Sequence, residues 1–190
     1  MALFAGNLLS ENDQSVETSV GNWSSYSDLS SAIVQSNGTS EPRHDGLFSV
    51  KCTKSATAAP GAMCGITGTG VPVTTAATLY TFQFLVFTAT ASCSFYTFVD
   101  WYQTNNTTYI SSTDGVSSPV SATQNAWTLV RQTHTSPALG TRARVYCMLN
   151  AGLSTGGIAY FDEIFFGVPS LSLTRKPVSL LTAVNRTSTW

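Results

Sequence analysis

LYTFQFLVF, residues 79–87, is the stretch of this sequence with the strongest strand signal. Aromatic and β-branched residues favour the pleated, half-buried surface of a sheet. The even-numbered residues from Tyr80 to Val86 are all apolar. The odd-numbered residues that follow them are Thr81, Gln83 and two further apolar residues. This alternation predicts a β-strand with one fully apolar face and one partly apolar face.

Comparable patterns recur on both sides of this stretch, separated by clusters of Gly, Pro, Asn, Asp and Ser that favour turns. The further predicted strands are Leu47–Thr53, Ala62–Thr67, Phe95–Tyr102, Ala126–Thr133, Thr141–Leu149 and Ala159–Phe166. About eight short strands with almost no helix signal are typical of an all-β fold. The sequence therefore predicts a β-sandwich, specifically a jelly roll.

The predicted sandwich is complete near Phe166, so we expect one domain over residues 1–167 and a C-terminal extended arm over residues 168–190. The arm carries Arg175, Lys176 and Arg186 but no acidic residue, together with several large apolar side chains. Such a segment either packs back on the sandwich or docks on another molecule. We favour docking, because the sandwich needs no further strand.

The composition excludes several classes of function. Only 10 % of the residues are charged and the net charge is −1, whereas nucleic-acid binding needs a basic surface. No apolar run is long enough for a transmembrane helix, so no membrane insertion is expected. The first nine residues lack the features of a secretion signal. A surface rich in Ser and Thr without an export signal suits a protein that is assembled into a particle inside a cell.

The four cysteines do not form a zinc-binding pattern, because no CxxC pair is present. Cys52 and Cys64 flank a turn-rich segment, and a hairpin there would place them within disulfide reach. They are the candidate disulfide. Cys93 and Cys147 lie on apolar faces of later strands, so we expect both to be buried free thiols.

An ordered series of short motifs resembles the family 4/9-type carbohydrate-binding modules, which are galactose-binding-like jelly rolls. The resemblance is strongest to the versions found in tail and other virion proteins of phages that infect actinobacteria. It covers residues 7 to about 167. The series includes Asn7-Leu8-Leu9, Val16-Glu17, Gly21-Asn22-Trp23, Asp45 to Val50, Gly70-Val71-Pro72-Val73, Val99-Asp100-Trp101-Tyr102, Tyr109-Ile110-Ser111, Arg142 to Val145 and Ala159 to Ile164.

The resemblance implies a structural Ca²⁺ held by an acid near the N-terminus and an acid in the closing strand. By position these acids are Glu17 and Asp162, and Asp45 could add oxygen ligands. In the alternative interpretation, Asp162 only accepts hydrogen bonds from backbone amides and Glu17 caps a loop. Val16 departs from the family pattern, which has an aromatic residue before the first acid.

Sugar sites pair exposed aromatic rings with polar side chains that bind hydroxyl groups. Trp23 and Trp127 match packing positions of the family, so we expect both in the core. The outward-facing side chains are either a sugar site or plain surface and oligomer interface. These candidates are Gln83, Tyr96, Asp100, Tyr102, Arg144 and Tyr146.

Catalysis has no sequence support, because the chain has neither a motif of paired carboxylates nor a GxSxG elbow. We therefore expect a non-enzymatic structural component of a bacteriophage virion, either a minor tail protein or a capsid decoration protein. It would be assembled in the host cytoplasm, displayed on the virion surface and attached to other virion proteins by its arm, as a monomer or as a homo-oligomer. The alternative is an adhesion module that recognises host cell-envelope glycan.

Overall fold

The computed structural model describes residues 6–25, 32–55, 62–73 and 77–168. In these residues a single short helix precedes the strands. The elements are α1 (Glu11–Ser15), β1 (Trp23–Ser24), β2 (Ala32–Gln35), β3 (Val50–Thr53), β4 (Ala62–Pro72), β5 (Leu79–Phe87), β6 (Ser94–Tyr102), β7 (Tyr109–Asp114), β8 (Val120–Ser121), β9 (Thr128–Thr135), β10 (Arg142–Ala151) and β11 (Ile158–Gly167).

The strands form two antiparallel sheets that face each other. Sheet A has the order β2-β3-β11-β5-β9, and sheet B has the order β1-β4-β10-β6-β7 with β8 beside β6. Strands that are consecutive in the chain are therefore often in different sheets, as the crossovers of a jelly roll require. The predicted all-β sandwich is confirmed. The described residues contain no helix long and apolar enough to cross a membrane.

The core lies between the sheets and is built by the predicted alternation. The side chains of Tyr80, Phe82, Phe84 and Val86 are fully buried on the inner face of β5. The rings of Tyr80 and Phe166 stack with their centroids 5.3 Å apart. Apolar burial of this kind contributes about 25 cal/mol per Å², so these aromatic residues dominate the stability of the sandwich.

A buried polar network joins the two sheets near β9. His134 is only 2 % exposed, and its Nε2 lies 2.7 Å from Oγ1 of Thr97, while its Nδ1 lies 3.0 Å from Oγ1 of Thr113. Gln132 accepts hydrogen bonds from both the amide and the hydroxyl of Thr97. Burial lowers the pKa of His134 to about 4, so the imidazole is neutral at physiological pH.

The predicted hairpin between Cys52 and Cys64 is wrong. Cys52 lies in sheet A, opposite Ala159, whereas Cys64 lies in sheet B, opposite Cys147. The chain between β3 and β4 therefore crosses from one sheet to the other instead of turning back. All four cysteines, including Cys93, are buried free thiols in the structure. Cys52, Cys64 and Cys147 nevertheless interact between the sheets, and burial holds the pKa of Cys52 and Cys147 well above that of an ordinary thiol.

The two ends of the chain also differ in what the sequence could predict. The helix α1 was not predicted. Its N-cap is Ser10, whose hydroxyl accepts a hydrogen bond from the amide of Asp13 at 3.2 Å. It is too short to produce a periodic apolar pattern. The C-terminal arm was predicted over residues 168–190, of which 169–190 lie outside the described residues.

Candidate binding surface

The outer face of sheet B brings together five of the six predicted ligand-binding residues. Tyr96, Asp100 and Tyr102 alternate along β6, and Arg144 and Tyr146 alternate along the neighbouring strand β10. The antiparallel register places Arg144 directly opposite Asp100. Every second residue of a strand points to the same face of the sheet, and register partners on neighbouring strands share that face. These five side chains therefore converge.

Gln83 is the exception. It lies on the outer face of β5, in sheet A, where Phe165 is its register partner. Because β5 and β6 belong to different sheets, Gln83 is on the opposite side of the sandwich from the other five residues. The sequence placed it correctly on an outer face but could not show which sheet that face belongs to.

Part of the predicted group forms a floor rather than a contact surface. Tyr96, Tyr146 and Met148 are at least nine-tenths buried and pack together, with Phe98 against them. The ring of Tyr146 lies against Gly65, where an added Cβ would approach Cδ1 of Tyr146 to 2.1 Å. Glycine at this position therefore lets the tyrosine cover β4. The result is a rigid second aromatic layer outside the main core.

The accessible part of the site is a tyrosine pair with an arginine above it. The rings of Tyr102 and Tyr109 meet edge to face with their centroids 5.8 Å apart. The guanidinium carbon of Arg144 lies 4.1 Å from the centroid of the Tyr102 ring, a cation–π contact. Nη2 of Arg144 also donates a hydrogen bond of 2.9 Å to the carbonyl oxygen of Asn106. These contacts hold the guanidinium in place before any ligand arrives.

Asp100 lies beneath this group and is mostly buried. Burial raises the pKa of Asp100, whereas a hydrogen bond with Tyr146 and the charge of Arg144 act in the opposite direction. Its carboxyl group thus links the tyrosine floor to the arginine above.

Two buried polar atoms beside the arginine have no hydrogen-bond partner among the described residues. They are Nε of Arg144 and Oδ1 of Asn106. Unpaired buried polar atoms are uncommon in folded proteins, and they often mark places where water or a ligand completes the bonding. A hydroxyl-rich ligand is the kind of molecule that suits this edge.

A cleft of about 430 Å³ continues the surface past the end of β6. It starts beside Tyr102, whose carbonyl oxygen accepts a hydrogen bond from the amide of Thr141 at 3.0 Å. Its walls supply amide and hydroxyl groups together with one strongly exposed leucine. The lining residues are Gln103, Thr104, Asn105, Ala138, Leu139 and Thr141.

The predicted calcium ligand Asp162 is buried against a loop. Its Oδ2 accepts hydrogen bonds from the amides of His44 at 2.8 Å and Asp45 at 3.3 Å, and its Oδ1 accepts one from Glu163 at 2.7 Å. Burial raises the pKa of Asp162 to about 6, with the charge of Glu163 adding to this effect and the amide hydrogen bonds opposing it. The carboxylate holds the loop on sheet A.

The other two predicted calcium ligands contact the same loop. Both carboxylate oxygens of Glu17 accept hydrogen bonds from the amide of Leu47, and Oδ1 of Asp45 accepts one from Gly46. These are the contacts of the alternative interpretation, in which the acids cap backbone amides. No group of three or more His, Cys, Asp or Glu side chains arranged to hold a metal is found in the part of the chain that the structure describes. Carboxylates around one loop do match the donors that calcium prefers, so calcium stays a prediction.

The fold is that of carbohydrate-binding modules. The CBM22-1 xylan-binding domain of Paenibacillus barcinonensis Xyn10C has a TM-score of 0.62 and 17 % identity, over 89 % of this chain and 100 % of that domain. A xylan-binding domain of family 22 has a TM-score of 0.56 and 16 % identity, over 87 % and 97 %. A module of carbohydrate-binding family 16 has a TM-score of 0.54 and 16 % identity, over 84 % and 99 %.

The sequence matches no family model and no curated protein. The predicted carbohydrate-binding-module jelly roll is therefore confirmed at the level of the fold, and the similar structures named here belong to families 22 and 16 rather than to families 4 and 9.

Sequence reasoning missed two members of the binding surface. Tyr109 is 52 % exposed at the start of β7, and Asn106 lies in the turn before it with a left-handed backbone (φ 55°). Tyr109 entered the sequence analysis only as part of a motif of the family resemblance, and its position beside Tyr102 depends on which strands are neighbours. The Asn105-Asn106 pair signalled only a turn.

Proposed function

We propose that this protein is a non-catalytic glycan-binding module and that the outer face of sheet B is its binding surface. The observation that supports the proposal is the pair of half-buried Tyr102 and exposed Tyr109, with Arg144 fixed over Tyr102 on a buried aromatic floor. Sugar rings stack their CH faces on aromatic rings, and their hydroxyl groups bind planar donors such as guanidinium. A rigid surface of this kind loses little entropy on binding.

The first ligand to test is a polysaccharide of the xylan type. Two of the similar structures are described as xylan-binding domains. At 16–17 % identity this likeness concerns the fold alone. The support for a polysaccharide ligand comes from the shape of the surface itself. An open face and a cleft in continuation of it suit a chain of several sugar residues rather than a single one.

The test is affinity electrophoresis through gels that contain xylan, mixed-linkage β-glucan, mannan, galactan or solubilised bacterial cell-wall glycan. At least one polysaccharide should retard the wild-type protein. Tyr102→Ala should weaken the binding about ten-fold, since stacking on an aromatic ring contributes on the order of 1 kcal/mol. Arg144→Lys keeps the charge but loses the planar fork, and it should also weaken binding.

Val116→Ala is the matched control, because Val116 is an exposed apolar residue outside the surface. It should bind like the wild type. Equal retardation of the wild type and both surface variants contradicts the proposed face. No retardation of the wild type in any of the gels contradicts glycan binding itself.

We also propose that calcium binds at the loop held by Asp162. Support comes from the three carboxylates of Glu17, Asp45 and Asp162, which all contact this loop. Calcium at about 100 times its dissociation constant would add about 2.7 kcal/mol to stability. Thermal unfolding should therefore shift upwards in calcium relative to EDTA, and the shift should disappear in Asp162→Asn. Identical melting curves of the wild type in both buffers overturn this proposal.

A virion surface is our proposed setting for this activity, because of the low charge of the chain and the phage-like resemblance of its motifs. Other virion proteins would then be partners of residues 168–190, whose charged residues are all basic. Deleting 168–190 should prevent incorporation of the protein into particles while leaving glycan binding intact. Normal incorporation of the truncated protein contradicts this role.

A further inference from the structure

A second group of aromatic side chains lies on the outer face of sheet A. The rings of Phe87 and Trp127 are 5.6 Å apart, and those of Phe87 and Tyr160 are 6.2 Å apart. His44 meets Trp127 edge to face at 5.8 Å. These four residues, which we call the Trp127 platform, are contributed by β5, β11, the residue before β9 and the loop before β3. The indole of Trp127 reaches across β5 to the loop.

Trp127 was expected in the core, and that expectation is wrong. Trp127 is half-buried, whereas Trp23, the other predicted packing tryptophan, is 3 % exposed and lies in the core. The alternation of β9 explains the difference, since Val130 faces inward and places Trp127 on the outer side. Within the described residues, no hydrogen bond is formed by the indole Nε1. A half-exposed ring with a free donor is suited to ligand contact.

The polar rim of the Trp127 platform is a close polar contact between His44 and Glu163. Nδ1 of His44 lies 2.8 Å from Oε1 of Glu163, and the two side chains are 41 % and 28 % exposed. Their remaining polar atoms can donate to and accept from hydroxyl groups. The rim is thus in contact with the indole through His44, the same pairing of ring and polar groups that the outer face of sheet B presents.

The backbone fixes the direction of this rim. A register shift interrupts the pairing of β11 with β5 between Asp162 and Phe165, and Glu163 has a left-handed backbone with φ 46°. A bulge of this kind re-aims a side chain, and such strain is concentrated at functional sites. The buried carboxylate of Asp162 holds the amide of His44 at 2.8 Å. Both His44 and Glu163 are therefore positioned by the backbone.

We propose that the Trp127 platform is a second carbohydrate site, which takes one sugar ring against the indole with its hydroxyl groups on His44 and Glu163. The inference rests on the proposed glycan binding of this protein for the class of ligand, but it uses residues of the other sheet. The two sheets face away from each other on their outer sides. One molecule can therefore hold two glycan chains at once and join them.

The experiment compares ligand stoichiometry and cross-linking in the full-length chain. Xylohexaose is the probe for calorimetry, and soluble xylan is the probe for turbidity. Wild type should bind two xylohexaose molecules and make xylan solutions turbid. Trp127→Ala should keep one site of wild-type affinity, weaken the other about ten-fold and lose most of the turbidity, and Tyr102→Ala should do the same through the other face. The double variant should keep no site of wild-type affinity.

Two controls separate ligand contact from folding. Leu79→Ala removes an exposed apolar side chain at the other end of β5, and it should keep both sites. Glu163→Gln removes the rim charge without removing volume, and it should weaken only the second site, by about three-fold to ten-fold. Circular dichroism spectra and melting temperatures of all variants check that the sandwich is intact.

Each outcome bears on the proposal. A wild-type stoichiometry of one that Trp127→Ala leaves unchanged and Tyr102→Ala abolishes overturns the second site, while the proposed function stands. Loss of binding in Trp127→Ala alone moves the principal site to sheet A and overturns the two-site arrangement. Absence of binding by the wild type overturns both. Turbidity that survives in Trp127→Ala also contradicts the second site.

Discussion

The outer faces of the two sheets are organised in different ways. On sheet B the outward side chains of β6 and β10 pack on each other, so that Tyr96 and Tyr146 form a buried floor. On sheet A the outward side chains remain more open, and a loop is fastened over part of them by the carboxylate of Asp162. Side-chain packing therefore organises the outer face of sheet B, whereas hydrogen bonds from loop amides to the Asp162 carboxylate organise the outer face of sheet A.

This difference indicates which face is the more rigid. The sheet B surface depends on contacts between regular strands, which are the most stable parts of a sandwich. The sheet A surface depends on a loop and on a buried acid whose pKa is raised to about 6. Each face also has a buried acid with a raised pKa, Asp162 on sheet A and Asp100 on sheet B, so the difference in rigidity comes from the loop.

The largest expected effect tests the floor of sheet B. Gly65→Ala places a methyl group against the ring of Tyr146 and near the carbonyl oxygen of Val145, and it should destabilise the protein by about 3 kcal/mol. The measurement is urea unfolding. Gly68→Ala is the matched control on the same strand, because an added Cβ there meets nothing within 4 Å. It should change stability by less than about 0.5 kcal/mol.

His134 allows a test of the buried polar network that connects the two sheets. Its pKa is lowered from 6.5 to about 4 by burial, so the unfolded chain binds more protons between these values. The stability that the neutral imidazole contributes is present above pH 6.5 and is lost as the pH falls towards 4. Between pH 7 and pH 4.5 the loss should be about 2.5 kcal/mol. His134→Gln should lack this component in urea unfolding at a series of pH values.

Asp162 should give the opposite sign on sheet A. Its pKa is raised from 3.8 to about 6, so the folded state holds the proton more tightly than the unfolded chain. Ionisation as the pH rises through this window should therefore cost about 2 kcal/mol. Asp162→Asn should remove that pH dependence in the same measurements. If the stability of the variant changes with pH as steeply as that of the wild type, the raised pKa of the buried Asp162 carboxyl group is contradicted.

The smallest effect concerns the edge of the sheet B surface. Tyr109 is 52 % exposed and contacts Tyr102 by one ring edge, so Tyr109→Ala should weaken glycan binding about three-fold. Its stability should stay within about 0.5 kcal/mol of the wild type. Affinity electrophoresis with the best-retained polysaccharide gives the first value, and urea unfolding gives the second.

The sequence predicted the strands well where apolar and polar residues alternate. The segments around Phe82, Val99 and Val145 were placed on β5, β6 and β10 with the correct inward faces. Short strands such as β1 and β2 were missed, because two to four residues carry no clear period.

The candidate site was predictable only in part, because a sequence pattern gives faces but not neighbours. Asp100 and Arg144 were both predicted to face outward, and the register then placed them opposite each other. Gln83 was predicted with them but lies in the other sheet, and Cys52 and Cys64 were assigned to one hairpin but lie in two sheets. Each of these errors concerns which strands pair across the sandwich, which is a property of topology.

The most direct test of glycan binding by the outer face of sheet B is a titration of the isotope-labelled protein with xylohexaose, followed through the backbone amide signals. We expect the largest shifts on residues 98–110 and 142–146, with Tyr102, Tyr109 and Arg144 among them. Saturation with the sugar that leaves these signals in place, whether or not other regions move, would contradict this expectation.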